Sequence, residues 1–330
     1  MRQGRYDSPV VAAMSGVLNA FRRSAPIGEL REEDRIDGRT CLVTGANRGL
    51  GRAIAAGLLR RGGRVVAACR GGGGQLQADL AREGGGGSGA DVRVEPVDLA
   101  DIESIHGFCE RMKRAGECFD VSVLNAGVVP SGARRTKQGF EEMFAVNYLA
   151  NFALVERLLA DGTIPRRSSG PPRVVFVSSE AHRSAGSPDF DRIGRFEPYG
   201  MSGSMREYSR SKLLLAMYAS ELSRRLSVEG VSDVSVHSLC PGAVSTGIAR
   251  EAPAWSRPLL KLVFALFFKS PRRAAVPALY LCCSPEVEGR TGIYLHMMTP
   301  KEVSPEAMDP AAGRRLREVS EQLLREGPRS

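Results

Sequence analysis

The stretch TGANRGLG, residues 44–51, determines how the rest of this 330-residue sequence is interpreted. It follows a short apolar run at Thr40–Val43 and opens a segment, Leu50–Arg61, whose apolar residues recur at helical spacing. Glycines in such a turn permit a tight bend and let the backbone approach a pyrophosphate, which the free N–H groups of the following helix attract. A glycine-rich stretch also fits a plain turn, but its place between a strand and a helix favours phosphate binding. The residues assigned to that site are Gly45, Asn47, Arg48, Gly49, Leu50 and Gly51.

Short apolar strands and helices alternate along the chain after this turn. The predicted strands are Thr40–Val43, Arg64–Ala68, Val92–Val97, Val121–Leu124, Arg173–Ser178, Val234–Leu239 and Ile293–Leu295. The predicted helices are Leu50–Arg61, Gln75–Arg82, Ile102–Ala115, Gly139–Ala160 and Met205–Ser227. Such alternation indicates right-handed crossovers and a parallel sheet covered by helices on both faces. The sequence therefore predicts one α/β domain over residues 38–330, built on a doubly wound sheet of about seven strands.

The first 37 residues are predicted to be an extension of this domain. Within them, the segment Val10–Phe21 places its apolar residues on one helical face. Apolar stripes of this kind usually pack on protein, so docking on the domain, or lack of order, is favoured over contact with a membrane.

The composition excludes several classes of protein. Lys plus Arg exceed Asp plus Glu by 46 − 37 = 9, and 42% of the residues are hydrophobic, too many for a wholly disordered chain. The positive charge is spread along the chain with few aromatic residues between, which argues against a nucleic-acid partner. No apolar run reaches the ~18 residues of a membrane span, and the N-terminus lacks a secretory pattern, so we expect a protein that is not secreted.

The cysteines and histidines indicate a reducing compartment and no metal centre. The seven cysteines are an odd number without a CxxC pair, and the four histidines are not spaced as metal ligands. Scattered residues of this kind predict free, buried thiols and a cytoplasmic protein.

The end of the second predicted strand bears on the choice of nucleotide. An acidic residue that binds ribose hydroxyls is typical of this position in NAD sites, but the sequence here reads Ala67-Ala68-Cys69-Arg70. Arg70, together with Arg48 in the glycine turn, suits a 2′-phosphate because a guanidinium donates to phosphate bidentately. The alternative is that both are surface arginines. The missing acid and the two cations together predict NADP(H).

Two further strand ends carry candidate nucleotide contacts. Asp98-Leu99 follows the third strand, where the carboxylate is able to accept a hydrogen bond from an adenine amino group. The alternative is a helix cap at Asp98 or Asp101. Asn125-Ala126-Gly127 follows the fourth strand, and a doubly wound sheet binds its ligands at strand carboxyl ends.

Tyr208 and Lys212 form the main candidate for chemistry. Residues four apart share one helix face, and an ammonium beside a phenol favours the phenolate, which lowers the pKa of the tyrosine. Tyr208 is then able to exchange a proton with an alcohol or carbonyl oxygen, and Ser178-Ser179, at the end of the fifth strand, is able to supply a hydroxyl to the same oxygen. Asn147 is polar within an apolar helical run, which also fits a buried amide with satisfied hydrogen bonds. His182 is interpreted as a loop or packing residue, because Tyr208 fills the proton-transfer role.

Taken together, these residues resemble the classical short-chain dehydrogenase/reductase family. The matching positions are TGxxxGxG at Thr44–Gly51, NAG at Asn125–Gly127, Asn147, Ser179, YxxxK at Tyr208 and Lys212, and Pro241-Gly242 followed by Thr246. Their order and spacing agree over about 39–295. A narrower resemblance is to retinol-dehydrogenase-like members, through Ala68-Cys69-Arg70, the run Ser-Ser-x-Ala-His at 178–182 and a long Ser179-to-Tyr208 interval of 208 − 179 = 29 positions.

The resemblance implies a Rossmann-type fold and a hydride transfer between a nicotinamide and a carbonyl carbon. It implies that Tyr208 is the acid/base, that Lys212 holds the ribose hydroxyls, and that Ser179 orients the substrate oxygen. It implies also that Asn147 holds a relay water behind Lys212, and that Pro241, Gly242 and Thr246 contact the nucleotide.

The segment after the sixth predicted strand bears on the substrate. Residues of about 243–275 include the apolar run Leu259–Phe268, which is too short to span a bilayer and too apolar for a free surface helix. Core packing is one interpretation. The other is a lid over a pocket for an apolar retinoid, steroid or lipid-like substrate, with peripheral membrane contact. The alternatives to an enzyme are a cofactor-binding scaffold or sensor with weak turnover and a membrane-surface module, and the sequence leaves the oligomeric state open.

Overall fold

The computed structural model describes residues 25–71, 73–85, 91–167, 170–228, 231–242 and 270–328. The strands are β1 (Thr40–Thr44), β2 (Arg64–Cys69), β3 (Val92–Pro96), β4 (Val121–Leu124), β5 (Arg173–Val177), β6 (Ser227–Val228), β7 (Val231–Ser232), β8 (Ser235–Cys240), β9 (Tyr294–His296) and β10 (Thr299–Lys301). The helices are α1 (Gly49–Arg60), α2 (Gly73–Glu83), α3 (Ile102–Arg114), α4 (Glu142–Ala160), α5 (Met201–Arg225), α6 (Pro271–Cys283), α7 (Pro305–Met308) and α8 (Pro310–Glu326). Two short 3₁₀ helices cover Glu180–Ser184 and Pro285–Val287.

Eight of the strands form a single sheet in the order β10-β9-β8-β5-β4-β1-β2-β3. All neighbours in it are parallel except β10, which pairs antiparallel with β9, and β6 and β7 form a separate hairpin. From β1 the chain adds β2 and β3 on one side and then crosses to β4 on the other side. The crevice between the ends of β1 and β4 is therefore the switch point at which doubly wound sheets bind ligands.

The core is divided by the sheet into two layers. One layer packs α3, α4, α5 and α8 around large side chains such as Phe108, Phe152 and Phe176. The other packs α1, α2 and α6 on the opposite face, where Gly57 of α1 lies directly against Leu279 of α6. Because both faces are covered, the central strands are apolar at consecutive positions rather than at alternate ones.

The predicted α/β fold is confirmed, with differences at its edges. The sheet has eight strands rather than about seven, because the chain turns at Met297, whose φ is +56°, and returns along β9. Helices α4 and α5 begin at Glu142 and Met201 instead of Gly139 and Met205. Helix α4 is apolar and long enough to cross a membrane, but 72% of its apolar window is buried inside the fold.

Two predicted segments lie wholly or partly outside the described residues. The predicted helical face at Val10–Phe21 and residues 243–269 of the predicted lid lie outside the described residues. The last residues of the predicted lid belong to α6, where Ala274 and Ala275 are buried. The described part of the N-terminal extension docks on the domain: the Ile27 amide donates to the Met298 carbonyl at 2.8 Å, and Ile36 is buried.

Candidate active site

A cavity of about 720 Å³ opens at the switch point between β1 and β4. It brings together most of the predicted site residues: Gly45, Asn47, Arg48, Gly49, Leu50, Gly51, Arg70, Asp98, Leu99, Asn125, Ala126, Gly127, Ser179, Tyr208, Lys212, Pro241 and Gly242. Asn147 is buried and does not line the cavity, and Thr246 is outside the described residues. Residues that the sequence analysis missed also line the cavity, among them Val128, Pro130, Arg134, Glu142 and Cys240.

Thr44, the last residue of β1, joins the ends of β1 and β4 beside the cavity. Its hydroxyl oxygen accepts hydrogen bonds from the amides of Asn125 and Ala126, at 2.9 and 3.1 Å. The Asn125 side chain donates in return to the Thr44 carbonyl at 2.9 Å. These bonds join the two strand ends on either side of the switch point, so the crevice is held at a fixed width.

The N-terminus of α1 is shaped for an anion. Its cap residue, Arg48, provides no side-chain hydrogen bond to the first turn, and that turn contains no acidic residue. Gly45 and Gly49 have φ of +67° and +54°, a conformation that favours glycine. A Cβ on Gly51 would lie 2.3 Å from the Gly45 carbonyl oxygen, so only glycine permits this close approach. Uncapped amides at a helix N-terminus that opens into a cavity fit the pyrophosphate of a dinucleotide.

Arg48 and Arg70 are both exposed and both line the cavity near this helix end. Within the described part of the chain, neither guanidinium forms a hydrogen bond or an ion pair. The guanidinium groups therefore remain able to bind an anionic ligand.

Asp98 and Asp101 have different roles. Asp101 is the cap of α3, because its side chain accepts a hydrogen bond from the Glu103 amide at 3.2 Å. Asp98 lines the cavity, and its carboxylate accepts one bond from the Ala100 amide at 3.0 Å. The helix-cap interpretation therefore applies to Asp101, and Asp98 stays a candidate nucleotide contact.

Ser179 and Tyr208 both line the cavity. Ser179 caps the 3₁₀ helix Glu180–Ser184, where its hydroxyl oxygen accepts from the Ala181 amide at 3.2 Å. Burial raises the pKa of Tyr208 to about 12, although the nearby Ser179 hydroxyl opposes that rise. Tyr208 is therefore protonated at neutral pH.

Lys212 lies beside Tyr208 on α5, and its ammonium nitrogen is 5.8 Å from the centre of the tyrosine ring. That nitrogen donates to the carbonyl of Val177 at 2.9 Å, and burial lowers the pKa of Lys212 to about 8. The prediction that Lys212 lowers the pKa of Tyr208 toward neutrality is wrong for this structure. Desolvation of the phenol dominates its pKa, and the ammonium is held by Val177 instead of by the tyrosine oxygen.

Asn147 is fully buried in a π-helical turn, Ala145–Leu149, within α4. Its side-chain oxygen accepts from the Val128 amide at 2.8 Å, and its nitrogen donates to the Val128 carbonyl and to the Ser211 hydroxyl. The interpretation of Asn147 as a satisfied buried amide is confirmed. Its predicted role with a relay water stays a prediction.

His182 is confirmed as a packing residue rather than a group that faces the cavity. It is 1% exposed, and both ring nitrogens are occupied by backbone groups. Among the described residues there is no cluster of His, Cys, Asp or Glu that suits a metal ion.

Comparison with known proteins agrees with this geometry. The family model described as short chain dehydrogenase matches residues 39–188. Retinol dehydrogenase 14 from Mus musculus is 39% identical over 332 residues, which cover 96% of each chain. The solved structure of an uncharacterised protein from Mycobacterium paratuberculosis is 26% identical with a TM-score of 0.66, over 90% of this chain and 98% of that one.

A second solved structure, an angucycline C-6 ketoreductase, LanV, with bound NADP, is 26% identical with a TM-score of 0.59. The matched region covers 80% of this chain and 95% of the LanV chain. A relative that is 39% identical over nearly the whole length shares more than a fold with this chain. The chain therefore belongs to the short-chain dehydrogenase/reductase family, whose members are NAD(P)-binding oxidoreductases, and is similar to its retinol-dehydrogenase-like members.

Proposed function

We propose that this protein is an NADP(H)-dependent oxidoreductase that interconverts an apolar alcohol with its aldehyde or ketone. The observation that carries the proposal is the convergence of three groups at one end of a dinucleotide-sized cavity: the hydroxyls of Tyr208 and Ser179 and the ammonium of Lys212.

The residues around the cavity fit a nicotinamide dinucleotide. The uncapped amides of α1 would bind its pyrophosphate, and Asp98 and Leu99 would contact the adenine. Asn125, Ala126 and Gly127 would flank the opposite side, with Pro241 and Gly242 beyond them at the end of β8. When bound, this cofactor supplies or accepts the hydride.

The protein's own part in the chemistry is to orient the substrate oxygen and to move one proton. Tyr208 is protonated at neutral pH, so its hydroxyl is ready to donate to a carbonyl oxygen. The oxygen of Ser179 already accepts from the Ala181 amide, which leaves its own hydrogen for the same substrate oxygen. Lys212 supplies positive charge beside Tyr208 as the proton departs, and it is placed to hold the ribose hydroxyls.

The preference for NADP(H) rests on Arg48 and Arg70. Both guanidinium groups line the cavity, and no carboxylate follows β2 where a ribose 2′-hydroxyl would need an acceptor. The bound NADP of the ketoreductase LanV is in keeping with this choice.

The apolar substrate is supported by two exposed methionines. Met201 and Met205 are 67% and 47% exposed at the start of α5. Their spacing to Tyr208 and Lys212 is i, i+4, i+7 and i+11, so the four side chains follow one helix face. Methionine adapts its shape to apolar ligands, and the name of retinol dehydrogenase 14 refers to an apolar alcohol. We propose that the substrate chain lies along this face, leaving the site past Met205.

The proposal is tested by following NADPH consumption at neutral pH against a panel of carbonyl compounds. The panel should include retinal, steroid ketones, straight-chain aldehydes and small polar carbonyls. We expect turnover with the apolar members and the corresponding alcohol as product. Absence of turnover on every member, by a protein that binds NADPH, would instead support a cofactor-binding scaffold or sensor.

A further inference from the structure

We propose that His182 and Glu180 are positioning residues, which hold Ser179 in place by fastening its 3₁₀ helix to the C-terminal part of the chain. The inference rests on the proposed function in one respect, namely that the Ser179 hydroxyl contacts the substrate oxygen. It goes beyond that function because neither His182 nor Glu180 faces the cavity.

His182 joins two backbone groups that are distant in sequence. Its Nδ1 lies 2.7 Å from the carbonyl oxygen of Ser179, and its Nε2 lies 3.1 Å from the amide nitrogen of Ser304. The amide is able only to donate and the carbonyl only to accept, so the ring is neutral with its hydrogen on Nδ1. The ring also packs edge-on against Tyr294 of β9, with centres 5.5 Å apart. The backbone of Ser179 is thus tied to residue 304 through one imidazole.

Glu180, the next residue after Ser179, makes a second attachment to the same part of the chain. Tyr294 donates to one carboxylate oxygen at 2.5 Å, and Lys301 of β10 donates to the other at 3.0 Å. Burial alone would raise the pKa of Glu180, but the hydrogen bond from Tyr294 and the charges of Arg183 and Lys301 lower it to about 2. Glu180 therefore stays ionised and attached throughout the physiological pH range.

These two attachments control where the Ser179 hydroxyl points. Ser179 is the cap of the 3₁₀ helix that holds both His182 and Glu180, and its side chain bonds to the Ala181 amide within that helix. A shift of the helix therefore moves the hydroxyl away from Tyr208. Misplacement of a reacting group by ~1 Å is able to lower a rate about a hundredfold. The short antiparallel strand β10 and the residues after it thus take part in building the site.

The charge state of His182 provides a readout that a purely structural residue would not give. Protonation would put a hydrogen on Nε2 against the Ser304 amide and break that bond. The charged and titratable groups that face the ring are Glu180 and Arg183 on its own helix, Tyr294 on β9 and Glu306 on α7, while Lys301 on β10 bonds to Glu180. Burial is the main cause that lowers the pKa of His182 below its ordinary 6.5. The bond is intact at neutral pH and is lost as the pH falls through that lowered pKa.

The experiment compares His182→Phe with His237→Phe in the full chain. Phe keeps a ring against Tyr294 but removes both hydrogen bonds. His237 is equally buried, in β8, and its ring nitrogens have no hydrogen-bond partner among the described residues, so it controls for general damage to the core. We expect His182→Phe to lower kcat roughly 10- to 100-fold while the Kd for NADPH stays within about twofold of wild type. His237→Phe should change kcat far less.

Two further measurements complete the test. His182→Gln keeps a donor and an acceptor but does not titrate. We expect wild-type kcat to decline at acid pH, and we expect His182→Gln to recover part of the kcat lost in His182→Phe and to lack that decline. Hydrogen exchange, followed by mass spectrometry, should be faster in His182→Phe than in wild type both at 179–184 and at 302–308.

Equal losses of kcat in the two Phe variants, or a matching loss of NADPH affinity in His182→Phe, would overturn the positioning role. A wild-type protein that reduces no carbonyl would refute the proposed function instead. In that case hydrogen exchange still tests the attachment made by His182. Unchanged exchange at 302–308 in His182→Phe would show that His182 does not hold that segment.

Discussion

At the scale of single residues, the hydroxyl of Tyr208 is the only part of that side chain that the proposed chemistry uses. Tyr208→Phe keeps the ring in its buried place and removes the proton donor. We expect kcat for carbonyl reduction to fall by about 10²–10⁴-fold, with little change in NADPH affinity. Steady-state kinetics together with fluorescence titration of NADPH would measure both. Near-normal turnover by the variant would show that another group is the acid.

Arg48 and Arg70 act through charge at the edge of the cavity. The double variant Arg48→Ala/Arg70→Ala should weaken NADPH binding about 10- to 100-fold, because a charge-assisted hydrogen bond contributes ~1.5–3 kcal/mol. NADH binding should change little, since NADH carries no 2′-phosphate. Arg315→Ala, another exposed arginine but on α8, serves as the control. Equal losses for the two cofactors would exclude recognition of the 2′-phosphate by this pair.

Lys212 illustrates a conflict between function and stability. Its pKa is lowered from 10.5 to about 8 by burial, and no carboxylate contributes to that pKa. Between those two values the unfolded chain binds the proton and the folded chain does not, so folding stability rises with pH across that window. At pH 7 this pKa shift corresponds to a loss of on the order of 3 kcal/mol in the free energy of unfolding. A variant without the ammonium regains only part of that free energy, because it also loses the hydrogen bond to Val177.

We therefore expect Lys212→Met to abolish turnover and yet to raise Tm at pH 7. The gain should shrink toward pH 10.5, where the lysine is neutral in the folded chain and half protonated in the unfolded chain. Differential scanning calorimetry at the two pH values is the measurement. A lower Tm for Lys212→Met at pH 7 would contradict this account of the buried ammonium.

At the scale of elements, the first two turns of α5 carry the proposed contact with the substrate. The kcat/KM of wild type should rise with aldehyde chain length, by ~0.8 kcal/mol per buried methylene until the contact is complete. Met205→Asp should flatten that rise without changing NADPH affinity, because the residue lies on the helix face of Tyr208 but outside the nucleotide sites. Met308→Asp is a matched control, since Met308 is 46% exposed at the end of α7. A flat profile in wild type would exclude an extended apolar substrate.

The elements also show what sequence patterns are able to predict. The central strands and α5 were predictable because apolar runs and i, i+4 spacing are local features of the chain. Strand β10 was not, because Thr299–Lys301 contains no apolar run and pairs only after the turn at Met297. Arg134 and Glu142 reach the cavity through tertiary packing that no motif marks. The pKa of Tyr208 was missed for the same reason, since it depends on how completely its neighbours exclude water.

At the scale of the whole molecule, the cofactor site lies between elements from the two halves of the sheet. A ligand that binds only the folded state should therefore stabilise the entire domain. NADPH at about 100 times its Kd adds ~2.7 kcal/mol, which corresponds to a Tm increase of roughly 4–8 °C. Thermal unfolding with and without NADPH measures it, and the Arg48/Arg70 double variant should show a smaller increase at the same concentration. No increase would mean that the cavity does not bind the nucleotide.

The bond between His182 and the Ser304 amide also has a consequence for the synthesis of the protein. The two residues are 122 positions apart in the sequence. Because a ribosome adds roughly 5–20 residues each second, Ser304 is synthesised roughly 6–24 s after His182. During translation the nucleotide-binding strands emerge well before the segment that locks Ser179. The nucleotide-binding strands are therefore complete first, and the full catalytic geometry forms only near the end of translation.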